Sequence, residues 1–232
     1  MRAGPATVGP AIAGLVLAAG ESSRMGRDKA LLPYRDSTFL ETVVAKLREA
    51  GLFRVVVVLG HHADKIQHAA NLQGVEVVTS CDYLRGQTSS LQAGLAALDI
   101  RARFLAPLGM IQSPQVVQQT AQDAPKPPDA ILLCLVDHPA FEPVTVSTLV
   151  ALFARTAAPV IIPTHGGSRG HPVLIARPLF EPLLALRADQ GANSVIRAWN
   201  SQTRFVEVVD AGILVDVDDP EAYRALVETE AI

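Results

Sequence analysis

The stretch GLVLAAGESSRMGRDKALLP, residues 14–33, joins an apolar run to a loop of small and basic residues. A continuous apolar run that ends at a glycine predicts a buried parallel strand. The loop that follows lies at the carboxyl end of this strand, where open α/β sheets bind their ligands. Free backbone N–H groups near Gly20 and Gly26 suit a polyphosphate, as do the cations of the loop, which are Arg24, Arg27 and Lys29.

The composition predicts a single folded domain. Of the 232 residues, 49% are hydrophobic, so the chain can bury a large core. We expect one α/β domain over residues 1–232, with an N-terminal extension at 1–12. A net charge of −3 and an aromatic content of 5% argue against a nucleic-acid partner. Any anion site must therefore be local.

The sequence favours a cytoplasmic location without a membrane partner. No run approaches the ~18 apolar residues of a membrane-spanning helix, and residues 1–13 lack the apolar core of a secretory signal. The two cysteines, Cys81 and Cys134, have neither zinc-site nor disulfide spacing. Three histidines, His61, His62 and His68, lack the carboxylate or cysteine that would complete a transition-metal site.

Alternating strand and helix patterns follow the opening loop. Helical spacing marks residues 39–50, 63–70, 144–154, 179–186 and 192–199. Strand patterns mark residues 54–59, 75–79, 130–136, 159–163, 173–176 and 205–209. This alternation predicts right-handed βαβ units and a mostly parallel sheet.

Residues 101–128 interrupt this pattern with a proline-rich segment that we interpret as an insertion, with a helix at 115–124. Inserts of this length in compact domains are usually mobile or functional. An oligomer contact, a cover for the active site and a harmless surface insertion all remain open.

Two further segments place polar groups at the predicted ligand edge. The cluster GQTSS, residues 86–90, precedes an amphipathic helix whose N-terminus has free backbone donors. The apolar run at 130–136 ends in Asp137, and a carboxylate at the end of a central strand is well placed for Mg²⁺. The alternative for Asp137 is an ordinary turn cap.

Residues 14–33 closely resemble the LAAGxSxRMGxxKxLLP signature of MobA-like nucleotidyltransferases, especially molybdopterin cytidylyltransferases. The resemblance runs from Gly14 to Tyr223 apart from the insertion, and it implies a three-layer, Rossmann-like domain of the GT-A type. In this family the loop holds the triphosphate of an NTP. The resemblance therefore implies nucleotide binding by Leu17, Ala18, Ala19, Gly20, Ser22, Arg24 and Lys29.

Later segments also match the family. The GQTSS cluster resembles an element that contacts the base and ribose, which implies nucleotide binding by Gly86, Ser89 and Ser90. Here Gln87 and Thr88 replace the usual methionine and serine. The sequence DHP at 137–139 matches the D-x-P element, whose aspartate coordinates the metal. Arg24, Lys29 and Asp137 are accordingly the predicted catalytic residues.

The acceptor half of the predicted site is less complete. The sequence RGHPV at 169–173 resembles the family's acceptor pocket and implies acceptor binding by Arg169 and His171; a hairpin turn with an exposed arginine is the alternative. The sequence RADQGAN at 187–193 resembles the G-D-x-G-A-R element and indicates Asp189. Asn193 replaces the arginine of that element, and Asp189 is equally suited to cap the next helix.

The sequence LVDVDDPEAY at 214–223 resembles the end of the family's catalytic domain. Asp216 and Asp218 alternate with apolar residues, so we expect them on one side of a strand. One of the two, with Asp216 as the first choice, is the predicted second carboxylate for Mg²⁺.

The resemblance implies that the protein uses Mg²⁺ to transfer CMP from CTP to the phosphate of molybdenum-molybdopterin, with release of pyrophosphate. A molybdoenzyme that receives the product is a further expected partner. Guanylyltransferases and sugar- or alditol-phosphate nucleotidyltransferases are alternatives within this fold. A non-catalytic molybdenum-cofactor chaperone and a dinucleotide-dependent redox enzyme are alternatives from other classes, although the sequence lacks the G-x-G-x-x-G motif of the latter.

Overall fold

The computed structural model describes residues 9–52, 54–98, 111–112, 127–187 and 189–230. The predicted helix at 115–124 and most of the predicted insertion lie outside these residues, as do residues 1–8 of the N-terminal extension. The described helices are too short or too polar for any of them to traverse a lipid bilayer.

Strands and helices alternate along the described chain. The strands are β1 (Ile12–Ala18), β2 (Pro33–Tyr34), β3 (Ser37–Thr38), β4 (Arg54–Leu59), β5 (Glu76–Ser80), β6 (Ile111–Gln112), β7 (Ala130–Leu135), β8 (Val160–His165), β9 (Ser168–Arg169), β10 (Val173–Ala176) and β11 (Arg204–Glu207). The α-helices are α1 (Phe39–Glu49), α2 (Ala63–Ala69), α3 (Gln87–Leu98), α4 (Pro143–Thr156), α5 (Phe180–Leu184), α6 (Ala192–Ala198) and α7 (Pro220–Glu230).

The central sheet has the strand order β11-β8-β10-β7-β1-β4-β5-β6, with β9 paired to β8. Its middle is parallel, because β1 pairs in parallel with β4 on one side and with β7 on the other. Antiparallel pairs join β10 to both β7 and β8 and join β6 to β5. The predicted α/β class with a mostly parallel sheet is confirmed, and the antiparallel strands make the sheet mixed.

The opening strand lies in the centre of three layers. All seven residues of β1 are buried, as expected for a strand covered on both faces. Val16 and Ala18 belong to the core that includes residues of α1 and α4, whereas Leu15 and Leu17 belong to the core that includes residues of α3 and α5. Because successive side chains point to opposite faces, one apolar run serves both cores.

A capping box begins α1 and joins it to the loop after α2. The Thr38 hydroxyl accepts from the Glu41 N–H, and the Glu41 carboxylate accepts from the Thr38 N–H at 3.0 Å. The same carboxylate accepts from the Ser37 hydroxyl and from the Asn71 N–H at 2.7 Å. Burial alone would raise the pKa of Glu41, but these hydrogen bonds outweigh it and lower the pKa below the usual 4.5.

We expect Glu41→Gln to reduce the free energy of unfolding by about 1 kcal/mol at pH 7. Because folding lowers the pKa of Glu41, its carboxylate stabilises the fold above pH 4.5, and this stabilisation is lost as pH falls through the folded-state pKa. The difference between wild type and Glu41→Gln should therefore shrink between pH 7 and pH values below 4.5. Urea unfolding of both proteins at both ends of this pH range measures the difference in stability. A difference that does not change with pH would contradict the stabilising role of the Glu41 carboxylate.

One sequence prediction of secondary structure is wrong. The segment with Asp216 and Asp218 is not a strand: a 3₁₀ helix at Ala211–Leu214 is followed by extended chain without ladder partners. Alternation of apolar and polar residues does not by itself distinguish a strand from extended chain without strand partners. The predicted helix at 179–186 is confirmed but shorter: it is α5, preceded by a 3₁₀ turn at Arg177–Leu179.

Candidate active site

The phosphate loop predicted from residues 14–33 lines a cavity of about 300 Å³ at the carboxyl end of β1. Nearly all the predicted nucleotide-binding residues lie in its wall: Leu17, Ala18, Ala19, Gly20, Ser22, Arg24, Lys29, Gly86 and Ser90. The cavity also contains Asp137 and Asp218. Segments separated by about 200 residues of sequence therefore meet at the sheet edge where α/β folds bind ligands.

Left-handed backbone at two positions shapes the loop. Ser22 has a φ of 52° and Gly26 a φ of 67°. The Ser22 carbonyl accepts from the N–H groups of Met25 and Gly26, both at 3.0 Å, while its hydroxyl accepts from the Lys29 N–H at 3.1 Å. The side chain of Met25 is buried. The hydrogen bonds to Ser22 and the buried Met25 side chain together hold the loop in place.

Lys29 connects two acidic segments at the bottom of the cavity. Its Nζ lies 3.0 Å from Asp137 Oδ2 and 2.7 Å from Asp218 Oδ1, and its side chain is 11% exposed. Burial alone would lower the pKa of Lys29, but the Asp218 hydrogen bond and the Asp137 charge outweigh it and raise the pKa. The lysine is therefore charged at neutral pH. Arg24, which is largely exposed, also pairs with Asp218, at 2.8 Å.

A second acidic residue lies beside Asp137. Oxygen atoms of Asp137 and Asp216 and a ring nitrogen of His138 all lie within 4.8 Å of one another. Burial, followed by the charge of Asp137, raises the pKa of Asp216. Asp218 differs, because its hydrogen bond from Lys29 lowers its pKa. Asp216 is thus the C-terminal acid that faces Asp137, and Asp218 is the one that faces the cations.

These three residues fit a divalent cation. Two neighbouring carboxylates, of which the charge of one raises the pKa of the other, are stabilised by a positive ion between them. The Nε2 atom of His138 lies 3.9 Å from Asp216 Oδ1, on the side of the ring that faces the carboxylates. A donor set of two carboxylates and one imidazole suits a hard or borderline divalent ion.

The polar cluster GQTSS, of which residues 87–90 form the first turn of α3, divides into two roles. Ser90 and Gly86 line the cavity. Ser89 does not; its hydroxyl lies 2.7 Å from the Asp82 carbonyl and 2.8 Å from the Gly86 carbonyl. Ser89 therefore holds the turn that presents Gly86 and Ser90, rather than facing the cavity. Serine suits this position because its short hydroxyl side chain can donate to these nearby backbone carbonyls.

Sequence reasoning missed Tyr83 and left Gln87 without a role, yet both line the cavity. Gln87 replaces the family's methionine, so this departure from the pattern places an amide in the wall. Tyr83 lies 5.9 Å from the His61 ring, centroid to centroid. The signal available in the sequence was only their position after β5, with Tyr83 shortly before α3 and Gln87 at its first residue.

The predicted acceptor residues do not form one cluster. His171 packs against His138, with ring centroids 4.8 Å apart, and burial, followed by the charge of His138, lowers the pKa of His171 to about 4. The Arg169 guanidinium lies 4.5 Å from the centroid of the Phe205 ring. Asp189 is exposed, pairs with Arg187 at 3.3 Å and does not cap α6. Only His171 adjoins the acidic cluster.

Asp210 anchors the C-terminal segment that carries Asp216. Its carboxylate is buried and accepts hydrogen bonds from Glu142 N at 2.8 Å, Thr145 Oγ1 at 2.6 Å and Gly212 N at 3.0 Å. These bonds tie the 3₁₀ helix to the start of α4, which follows the Asp137 loop. The contacts explain how an irregular segment holds Asp216 and Asp218 in place.

We expect Asp210→Ala to lower the free energy of unfolding by about 3 kcal/mol, because it removes a charged acceptor and leaves buried donors unpaired. Urea unfolding would measure this loss. Asp36→Ala is the matched control, since Asp36 is exposed in the turn between β2 and β3; it should change stability by no more than about 0.5 kcal/mol. Equal stability of the two variants would contradict the anchoring role.

The chain is similar to curated proteins with different named activities. "Nicotine blue oxidoreductase" of Paenarthrobacter nicotinovorans is 29% identical over 94% of this chain and 97% of its own length. A "probable molybdenum cofactor guanylyltransferase" of Mycolicibacterium paratuberculosis is 30% identical over 95% and 97%. The "molybdenum cofactor cytidylyltransferase" of Escherichia coli is 23% identical over 90% and 92%.

Solved structures share the fold. Rv0371c of Mycobacterium tuberculosis H37Rv has a TM-score of 0.75 and 28% identity, covering 96% of this chain and all of that protein. The same protein solved as a complex with manganese has a TM-score of 0.68 and 27% identity, over 94% of this chain and 98% of that one. The MobA-like NTP transferase domain matches residues 14–204. Because this match covers most of the chain, the protein belongs to the MobA-like NTP transferase family and is a nucleotidyltransferase.

Proposed function

We propose that the protein transfers CMP from CTP to the terminal phosphate of a molybdopterin-type acceptor, with Mg²⁺ as cofactor and pyrophosphate as the second product. The observation that carries this proposal is the position of Lys29 between Asp137 and Asp218, at the base of a cavity lined by the glycine-containing loop. Cations, free amides and carboxylates at one point suit a triphosphate and its metal ion.

The reaction needs little covalent chemistry from the protein. An acceptor phosphate oxygen attacks the α-phosphorus, a new P–O bond forms, and the bond between the α-phosphorus and the bridging oxygen breaks as pyrophosphate leaves. The second pKa of a phosphate monoester is about 6, so the acceptor is ionised near neutral pH without a strong general base. Catalysis then depends on positioning and on stabilising charge.

Most of the predicted site residues have a place in this scheme. The backbone of residues 17–22 and the side chains of Arg24 and Lys29 hold the triphosphate and stabilise the leaving pyrophosphate. Gly86 and Ser90 face the base and ribose. Asp137 and Asp216 hold the divalent ion, which supplies Lewis-acid neutralisation of phosphate charge when bound. His171, next to this cluster, faces the acceptor. Arg169 and Asp189 lie apart and would reach the acceptor only at its periphery.

Thermal-shift titration with CTP, GTP, UTP and ATP in the presence of Mg²⁺ tests the choice of nucleotide. Saturation at one hundred times Kd stabilises a protein by about 2.7 kcal/mol, which corresponds to a Tm increase of about 5–10 °C for a chain of this size. We expect the largest increase with CTP. A larger increase with GTP would contradict the cytidylyl assignment and favour the guanylyltransferase alternative.

An oxidoreductase activity is the second candidate, because the relative from Paenarthrobacter nicotinovorans bears that name. The cluster of two acids and two cations favours phosphate chemistry instead. NAD(P)H oxidation measured beside pyrophosphate release from CTP and molybdopterin separates the two. NAD(P)H oxidation without pyrophosphate release would support the oxidoreductase activity. Binding of the molybdenum cofactor with neither activity would support a chaperone that delivers this cofactor to a molybdoenzyme.

A further inference from the structure

The side chain of His138 has no assigned part in the scheme above, although it lies next to the acidic cluster. It is 9% exposed, and its Nδ1 is buried without a hydrogen-bond partner among the described residues. Its Nε2 lies 3.9 Å from Asp216 Oδ1, too far for a hydrogen bond. Nε2 is therefore the ring nitrogen nearest to the acidic cluster, and the one placed to bind an ion beside Asp216.

The spacing of the cluster matches what a shared ion needs. Ligand atoms about 2.1 Å from one ion lie about 3.0 Å apart when adjacent and about 4.2 Å apart when opposite. The His138 to Asp216 separation of 3.9 Å falls within this range, and the largest separation in the cluster is no more than 4.8 Å. Closing these separations by up to about 1 Å, which small side-chain rotations can provide, therefore brings all three atoms onto one ion.

We propose that His138 is a third protein ligand of the divalent ion and shifts the preference of the site from Mg²⁺ toward first-row transition ions such as Mn²⁺. The chemical reason is that Mg²⁺ takes oxygen ligands and loses its water reluctantly, whereas imidazole nitrogen suits first-row transition ions. This inference rests on the proposed role of Asp137 and Asp216 in holding the ion.

The packing explains why a histidine at this position is pre-oriented. His138 follows the buried strand β7, and its N–H donates to the Leu135 carbonyl at 3.1 Å, which fixes a tight turn after the strand. Its ring rests against the His171 ring on one side. Asp216 lies on another side, held by the Asp210 contacts. A ligand held in this way loses little conformational freedom when the ion binds.

Electron spin-echo envelope modulation of bound Mn²⁺ tests the proposal directly, because a coordinated ¹⁴N nucleus modulates the echo. The full chain is loaded with Mn²⁺ and pyrophosphate in a nitrogen-free buffer, so that neither ligand nor buffer supplies nitrogen. We expect ¹⁴N modulation in wild type and its loss in His138→Asn, which offers an oxygen ligand instead. His171→Asn, the matched control from the adjacent ring, should keep the modulation.

Equilibrium binding gives a second readout. His138→Asn should weaken Mn²⁺ binding by about tenfold or more and change Mg²⁺ binding, measured by competition, much less. His138→Gln replaces His138→Asn as the test variant if the asparagine variant does not fold. Bound Mn²⁺ without ¹⁴N modulation in wild type would overturn this inference and leave the proposed function standing. Failure of Mn²⁺ to bind at all, with pyrophosphate or with CTP, would overturn both.

Discussion

Asp137→Ala should lower the rate of pyrophosphate release by about three orders of magnitude or more. In the proposed site Asp137 holds the divalent ion and faces Lys29 at 3.0 Å. Charge neutralisation by a metal ion supplies several kcal/mol to a phosphoryl-type transfer, and each 1.36 kcal/mol is tenfold in rate. Initial rates of pyrophosphate release with saturating substrates measure the loss.

The Asp137→Ala variant should remain folded. The backbone carbonyl of Asp137 accepts from the Val217 N–H at 2.9 Å, and alanine keeps this bond. Lys29 also retains its pairing with Asp218. Circular dichroism and the unfolding midpoint would establish the fold, with Asp36→Ala as a control of full activity. Retained turnover in a folded Asp137→Ala variant would contradict the role of this aspartate.

Lys29→Met should lower turnover by at least about two orders of magnitude, the effect of removing one charge-stabilising group from a transition state. Methionine keeps an unbranched apolar stem as far as Cε and removes the terminal ammonium group. Arg24 is too exposed to replace it, since 70% of its side chain is open to solvent. The measurement is turnover with saturating substrates, and a rate within threefold of wild type would contradict the assignment.

The same variant should bind a divalent ion more tightly when nucleotide is absent. In the free protein the Lys29 ammonium lies on Asp137 Oδ2, so it competes with any ion for that carboxylate. Removal of the ammonium leaves Asp137 and Asp216 facing each other without this cation. Mn²⁺ titration of wild type and Lys29→Met should show an affinity increase of about tenfold. Weaker binding by the variant would show that the lysine only supports the local structure.

The nucleotide half of the site was predictable because its residues follow regular elements. An apolar run followed by glycine predicts a buried strand and locates the loop after it at the ligand edge. Residues 17–20, residues 22–24 and Asp137 accordingly line one cavity. The alternation of apolar runs with amphipathic helices likewise predicted the α/β class, because period and burial are both visible in sequence.

The C-terminal half was less predictable because irregular segments build it. The alternation around Asp216 and Asp218 suggested a strand with both acids on one side, whereas the segment is extended chain after a 3₁₀ helix. The two acids consequently have different partners, with Asp216 near His138 and Asp218 on Lys29. The buried anchor Asp210 decides this geometry, and nothing in its sequence neighbourhood distinguishes it from a surface acid.

The role of single polar residues also depended on contacts between distant segments. Ser89 and Ser90 are adjacent in the sequence and match the same family element, yet Ser90 faces the cavity and Ser89 bonds to backbone carbonyls. His138 follows Asp137 in a loop, and its proximity to Asp216 depends on a segment about 80 positions later in the chain. Tertiary contacts of this kind leave no local pattern in the sequence.

Pyrophosphate release from CTP in the presence of molybdenum-molybdopterin and Mg²⁺ tests the central claim most directly. We expect wild type to release one pyrophosphate for each cytidine dinucleotide formed, with no release when the acceptor is omitted and none above background with Asp137→Ala. If the wild-type protein bound nucleotide and acceptor but released no pyrophosphate from CTP, this result would contradict the proposed nucleotidyl transfer.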